Sequence, residues 1–354
     1  MKNRKGYILL LAAVAILMGT AISCKEKEDK ETVYEVFDGT LKFDVPAYVA
    51  PGDFILLTPS GVKRNSSDEL TTAPGYYWSI SPTATGKDTT RYENSSDAVT
   101  GAKPFTVPDT LCTLTISCVA FAKGYQAATA TAYPTVVKPT IFKFFSNDIG
   151  SVDYSNYGFA NLTTDSRDGK LYPHAAHSQY PAHLNWMQIN LAYGGSGHPY
   201  ADCPAMKDVF GHYYTWEEAQ TACPPGWHLP TKADWASLAQ FMSPEGYTDE
   251  DSVFKGLAGK LMDDVSFNGE KMWTHSADNR ITNDFYFYAI PAGYAYKKGS
   301  GFYYAGAFNY AAYWVAEEYD PTHGQYRYIY YDSPDVYLGI ADKKSFAATV
   351  RCVQ

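Results

Sequence analysis

The sequence predicts an all-β sandwich over residues 33–138, followed by an α+β domain over residues 139–354. Three observations carry this. Between Val33 and Lys138, short apolar runs rich in Thr and Val are separated by turn residues, with few helix signals. Beyond Pro139 the composition changes, tyrosine becomes abundant, and six of the 7 tryptophans follow. Two helix starts, at Thr215 and Thr231, then stand inside this strand-forming background. A length of 354 residues with 45% apolar content is ample for two or three packed cores.

The first element is a targeting segment, residues 1–23. Lys2, Arg4 and Lys5 form a basic start, Tyr7 to Met18 an apolar stretch, and small residues lead into "AISC", ending at Cys24. The apolar stretch is shorter than the roughly 20 residues of a membrane span. "AISC" resembles the lipobox of bacterial lipoproteins, which implies cleavage before Cys24 and acylation of that cysteine. Losing three cations takes the formal charge from −9 to −12, which argues against nucleic acid or anionic lipid as partners through bulk charge. The run "KEKEDKE" within residues 24–32 reads as a solvated tether. It also resembles the acidic flank that sends some lipoproteins to the outer cell face. The expected location is therefore the outer membrane, lipid-anchored and facing outward.

Residues 33–138 hold the runs "LKFDV", "DFILLT", "GYYWSI", "CTLTISCVAF" and "QAATATAY". In the clearest strand, Cys112 to Ala120, Cys112, Leu114, Ile116, Cys118 and Ala120 share one face. Six residues of strand hold Cys112 and Cys118 roughly 20 Å apart, well beyond the about 7 Å limit of a disulfide. Both therefore read as buried thiols. Trp78 followed by this late strand resembles the immunoglobulin-like and PKD-like modules of bacterial surface proteins.

Residues 139–354 centre on "CPPGWHLPTKADW", Cys223 to Trp235. A helix starting at Thr215 puts Trp216, Ala219 and Cys223 on one face, and "PPG" ends it. A second helix starts at Thr231, with Trp235, Leu238, Ala239 and Met242 inward. The ordered blocks "YYTWEEAQTACPPGWHLPTKADWASL", "KLMDDVSFNGEKMW", "FYFYAIPAGYAYKKGSGFYYAG", "AYWVAEE" and "ATVRCV" resemble the Fibrobacter succinogenes major paralogous domain of exported bacterial proteins. "DSRDGKLY" and "NWMQINLAY" look like its opening elements, so the resemblance runs from Asp165 to Val353. The sequence departs from it at "YWVAEE" and "PHAAHSQYPAH". Behind it stands a broader likeness to C-type lectin-like domains, which implies an α+β C-type lectin-like fold and a disulfide between Cys223 and Cys352. Cys203 has no evident partner and competes for either.

Reaction chemistry finds little support. Cys223 with His228 is a poor nucleophile pair, because a helix C-terminus raises a thiol pKa. Formylglycine-generating enzymes share the "GWHLPTKADW" style of motif, but no second cysteine stands near Cys223 or Cys352. His174, His177 and His183 lack a Cys or acidic neighbour and lie between prolines, which favours a surface loop over a metal site. The sugar-binding tripeptides of calcium-dependent lectins are missing, and "DSRDGK" lacks the alternating acids of a calcium loop. No catalytic residue, metal or cofactor is expected.

The remaining signal is aromatic. Fourteen tyrosines stand between Tyr286 and Tyr337. Each has an apolar body and a polar tip, suited to sugars and proteins alike. Tyr303, Tyr304, Tyr310, Tyr326, Tyr328 and Tyr330 are the expected binding surface. The expected function is non-catalytic binding of a glycan or cell-surface protein. The alternative is a structural or tip subunit of a surface appendage or envelope complex.

Overall fold

The computed structural model describes residues 33–64, 74–83, 93–95, 101–139, 141–142, 150–154, 161–175, 184–243, 247 and 249–354. The expected targeting segment, Cys24 and the expected tether lie outside the described residues, as do His177 and His183.

The N-terminal part is all β. A four-stranded antiparallel sheet runs in the order Glu93–Ser95, Gly75–Pro82, Leu114–Phe121, Ala128–Ala132. Three strand pairs accompany it, joining Asp38–Lys42 to Ser60–Lys63, Phe54–Leu57 to Lys103–Thr106, and Tyr48–Val49 to Thr135–Val136. The period-2 pattern of the central strand is the cause: Leu114, Ile116, Cys118 and Ala120 alternate inward, with Thr115 and Ser117 between them. Cys118 is wholly enclosed, and burial pushes its thiol up to about 12. Trp78 closes the same core, and its indole N–H donates to the Gly101 carbonyl at 2.7 Å.

The chain then changes cores within one peptide. Val136 packs in the N-terminal core, and Val137 in a core built by Val209, Phe210 and Tyr213. Contacts across this junction include the rings of Tyr48 and Tyr200 at 5.8 Å, and Tyr48 packs against the second core. Asn268 also donates through Nδ2 to the Val136 carbonyl at 3.2 Å.

The C-terminal part corrects the expected α+β C-type lectin-like fold. Small sheets dominate, and among the described residues only Lys232–Met242 forms a helix of several turns. A five-stranded sheet runs His198–Pro199, His212–Thr215, Phe346–Ala348, Tyr294–Lys298, Gly301–Ala305. A three-stranded antiparallel sheet joins Tyr310–Glu318, His323–Tyr330 and Val336–Asp342. Two smaller sheets complete it. Both predicted helix starts exist as capping boxes, at Thr215 with Glu218 and at Thr231 with Asp234. The first helix nevertheless lasts only from Trp216 to Ala219. Its continuation tightens into i→i−3 bonds at Thr221 and Ala222, and Pro224 then offers no amide to extend it. A cap starts a helix without setting its length.

Residues 349–354 run through the middle of this part. Thr349 bonds to Ala312 and Trp314, Val350 to Leu191, Cys352 to Met187, Val353 to His228 and Gln354 to Asn185, all through the backbone. Cys352 is bonded to Cys223 with 5.8 Å between the Cα atoms.

Candidate ligand-binding surface

The opening motif is framework. Cys223 is spent in the disulfide, so no thiolate is available there. His228 pairs both ways with the Val353 backbone and places Nε2 3.1 Å from Asp234 Oδ2, the carboxylate that also caps the following helix. Trp227 and Trp235 are buried, in separate cores.

Other polar candidates are occupied as well. Asp165 accepts from the Arg167 amide at 3.0 Å and pairs with its guanidinium at 2.7 Å. Burial alone would raise that carboxyl, but the Arg167 bonds outweigh it and hold it below the usual range. Arg167 continues to the Ala222 carbonyl and lies 3.7 Å from the Tyr193 ring centre, making "DSRDGK" a brace against the disulfide helix. His174 packs edge-on against Trp227, and burial lowers its pKa. Among the described residues, no three His, Cys, Asp or Glu side chains are placed to hold a metal ion.

The three-stranded sheet separates its tyrosines by face. Ala311, Tyr313, Val315, Ile329 and Val336 pack into one core. On the opposite face, register sets Ala312, Tyr328 and Tyr337 in one row, Tyr310 and Tyr330 in the next, and Trp314, Tyr326 and Gly339 in a third. Trp314 is covered by Tyr326 and Phe346. The others stay half-open. Tyr310 stacks on Tyr328 at 5.1 Å and 17°, and Tyr328 on Tyr337 at 5.1 Å and 19°, giving a ladder of near-parallel rings across three strands. Gly339 is required beside it, because a Cβ there would stand 2.4 Å from the Tyr326 ring. Burial raises the phenol pKa of Tyr310, Tyr326 and Tyr328, so their hydroxyls stay protonated and can donate and accept.

Four of the six expected tyrosines thus share one face: Tyr310, Tyr326, Tyr328 and Tyr330. Tyr337, outside that set, completes the ladder. Tyr303 and Tyr304 are elsewhere, on the Gly301–Ala305 strand. As consecutive strand residues they face opposite ways. Tyr303 lies against Tyr296 and below Lys298, whereas the Tyr304 hydroxyl donates to Asp202 at 2.7 Å and its ring packs on Tyr200 and Tyr213.

Next to the ladder lies a groove that sequence reading missed. It follows residues 274–286, and its largest section measures about 460 Å³. Tyr331, on its wall, has its ring 5.0 Å from Tyr330, so groove and ladder adjoin. The signal available was the polar run "HSADNRITND" between two apolar blocks.

Residues 181–354, just under half of the chain, match the family model described as the Fibrobacter succinogenes major domain, and this portion is a domain of that family. No curated protein and no solved structure matches the chain.

Proposed function

We propose that the Fibrobacter succinogenes major domain of this chain is a non-catalytic binding module. It is presented at the outer face of the outer membrane by a lipid on Cys24, with the immunoglobulin-like N-terminal part as spacer. The lipobox-like "AISC" and the charged tether support the anchoring. The binding reading rests on one observation, the half-open face carrying Tyr310, Tyr326, Tyr328, Tyr330 and Tyr337 on a rigid sheet. Such a face is uncharged, offers hydroxyl donors and acceptors, and loses little side-chain entropy on contact. The ligand is a glycan or another cell-surface component.

One geometric detail favours a second reading, in which the face meets a protein within an envelope assembly. Ring stacking covers the flat sides of Tyr310 and Tyr328, and the Tyr310 hydroxyl donates to that of Tyr326, so these rings offer no open flat side to a sugar.

A glycan array probed with residues 25–354, alongside Tyr328→Ala and Tyr330→Ala variants, tests the first reading. Specific signal that both variants abolish is expected. Silence across the array, together with Tyr328-dependent co-purification of a partner from the envelope, would transfer the assignment to the second reading. Metabolic labelling with a fatty acid tests the anchor: label is expected in the wild type and lost in Cys24→Ala.

A further inference from the structure

The groove along residues 274–286 consists of three adjoining depressions with shared walls. Asp264 and Ile281 line the first and third, Asn279 and Arg280 the second and third, and Thr282 and Asp284 the first and second. The three depressions therefore adjoin pairwise, and the first and third together reach from Tyr286 to Tyr331. The groove's largest section alone falls within the roughly 300–1,000 Å³ of small-molecule sites.

Its chemistry is mixed. Carboxylates of Asp263, Asp264, Asp278 and Asp284 stand among the cations Lys260, Lys271 and Arg280. Lys271 is already paired with Asp264 at 2.8 Å, and Lys260 donates to the Met242 carbonyl. The exposed Arg280 and Asp284 side chains remain to meet a ligand, with the hydroxyls of Thr274, Ser276 and Thr282 among them. A strongly charged ligand would meet repulsion from one sign or the other. A neutral polyol meets donors and acceptors in both senses, and the rings of Tyr286 and Tyr331 stand at either end.

The groove is also preformed. Asn279 donates to the Ser333 carbonyl at 2.9 Å, and the amides of Thr282 and Asn283 both reach the Gly259 carbonyl. A side chain at Gly259 would place its Cβ 2.0 Å from the Arg280 carbonyl oxygen, so only glycine permits this approach. Asn283, Tyr286 and Tyr288 all have positive φ, between 46° and 55°. Each such residue costs on the order of 1–3 kcal/mol and persists only where the surroundings dictate it. Here Asn283 Oδ1 accepts from the Tyr288 amide, and Arg351 holds the Phe287 and Tyr288 carbonyls. The strained loop leaves Tyr286 half-exposed at the groove's edge.

We infer that this groove binds a linear, uncharged oligosaccharide, running from Tyr286 past Asp284 and Arg280 to Tyr331 and onward to Tyr330 of the ladder. The inference rests on the reading of the domain as a binding module and adds to it a ligand class and a separate site. Elongation predicts a dependence on chain length, because each further sugar ring meets further wall.

The test is calorimetric titration of the full chain in detergent with neutral hexasaccharides of β-glucan, α-glucan, xylan and mannan type, and with the matching disaccharides. At least one hexasaccharide should bind, at least tenfold more tightly than its disaccharide. Arg280→Ala and Asp284→Ala, which trim only exposed side chains, should each weaken it at least fivefold, and Lys344→Ala, an exposed side chain that lines neither groove nor ladder, should not. Absence of binding by every hexasaccharide overturns the groove, and so does equal affinity for disaccharide and hexasaccharide. Binding that survives both groove variants but fails with Tyr328→Ala would also overturn it, while upholding the ladder as the binding face.

Discussion

Arg351 shows how much a single side chain organises here. It is fully buried and donates to Asn190 Oδ1 at 3.1 and 2.9 Å, to Met187 O at 3.1 Å, to Tyr288 O at 3.1 Å and to Phe287 O. One guanidinium thus satisfies backbone on two separate segments and fixes the strained loop that walls the groove. Arg351→Met keeps the approximate volume but leaves those acceptors dry. It should cost more than about 3 kcal/mol, read as a lowered urea midpoint. His212 is the residue to watch with pH. Burial holds it down to about 4, against an unfolded value near 6.5. Above pH 6.5 both states are neutral and stability is full. As pH falls from 6.5 to 4, the unfolded chain takes a proton that the folded one refuses, so up to roughly 3 kcal/mol is lost. Below 4 both are protonated and this loss stops. The drop in urea midpoint between pH 7 and about pH 4.5 should therefore shrink in His212→Gln. An unchanged drop would show that other groups carry the acid sensitivity.

Elements differ in how far the residues announce them. The capping boxes at Thr215 and Thr231 were legible because each is a local hydrogen-bond pattern, Ser/Thr with an acid three residues on. Thr231→Ala should cost about 1 kcal/mol by thermal melting, since the hydroxyl accepts from the Asp234 amide and bonds to its carboxylate. The strand expected over Cys112 to Ala120 was legible for a similar reason, its alternation, although it begins only at Leu114 and leaves Cys112 before it and half-buried. The tyrosine face was only half legible. That Tyr326, Tyr328 and Tyr330 share a side follows from their even spacing. That they meet Tyr310 and Tyr337 depends on register across two hairpins, which no local pattern states. Tyr303 and Tyr304, consecutive on one strand, cannot share a face by the same alternation. The helix from Thr231 runs through Met242 as its inward residues imply, whereas the one from Thr215 stops at Ala219, short of Cys223, because caps are local while extent is decided by packing. The groove depends on Gly259, Arg280 and Ser333 coming together from distant positions, and it was invisible before the fold.

At the scale of the molecule, two sets of cores meet at the single step from Val136 to Val137. Calorimetry should therefore resolve two transitions. The Cys223–Cys352 bond lies wholly in the C-terminal part and closes a separation of 129 residues. In the chain-entropy model such a bond contributes about 5 kcal/mol. A reductant should accordingly lower only one transition, by roughly 10 °C or more. A single peak that shifts as a whole would show instead that the parts unfold together. The position of residues 349–354 has a consequence for biosynthesis. The strands and loops they join, at Asn185, Leu191, His228 and Ala312, are made long before them. A chain made from its N-terminus therefore cannot close this part progressively, because its central strand follows the segments that flank it. Until those residues arrive, the three strands over residues 310–342 can pair with one another but not with Thr349, so folding of this part should complete in one late step.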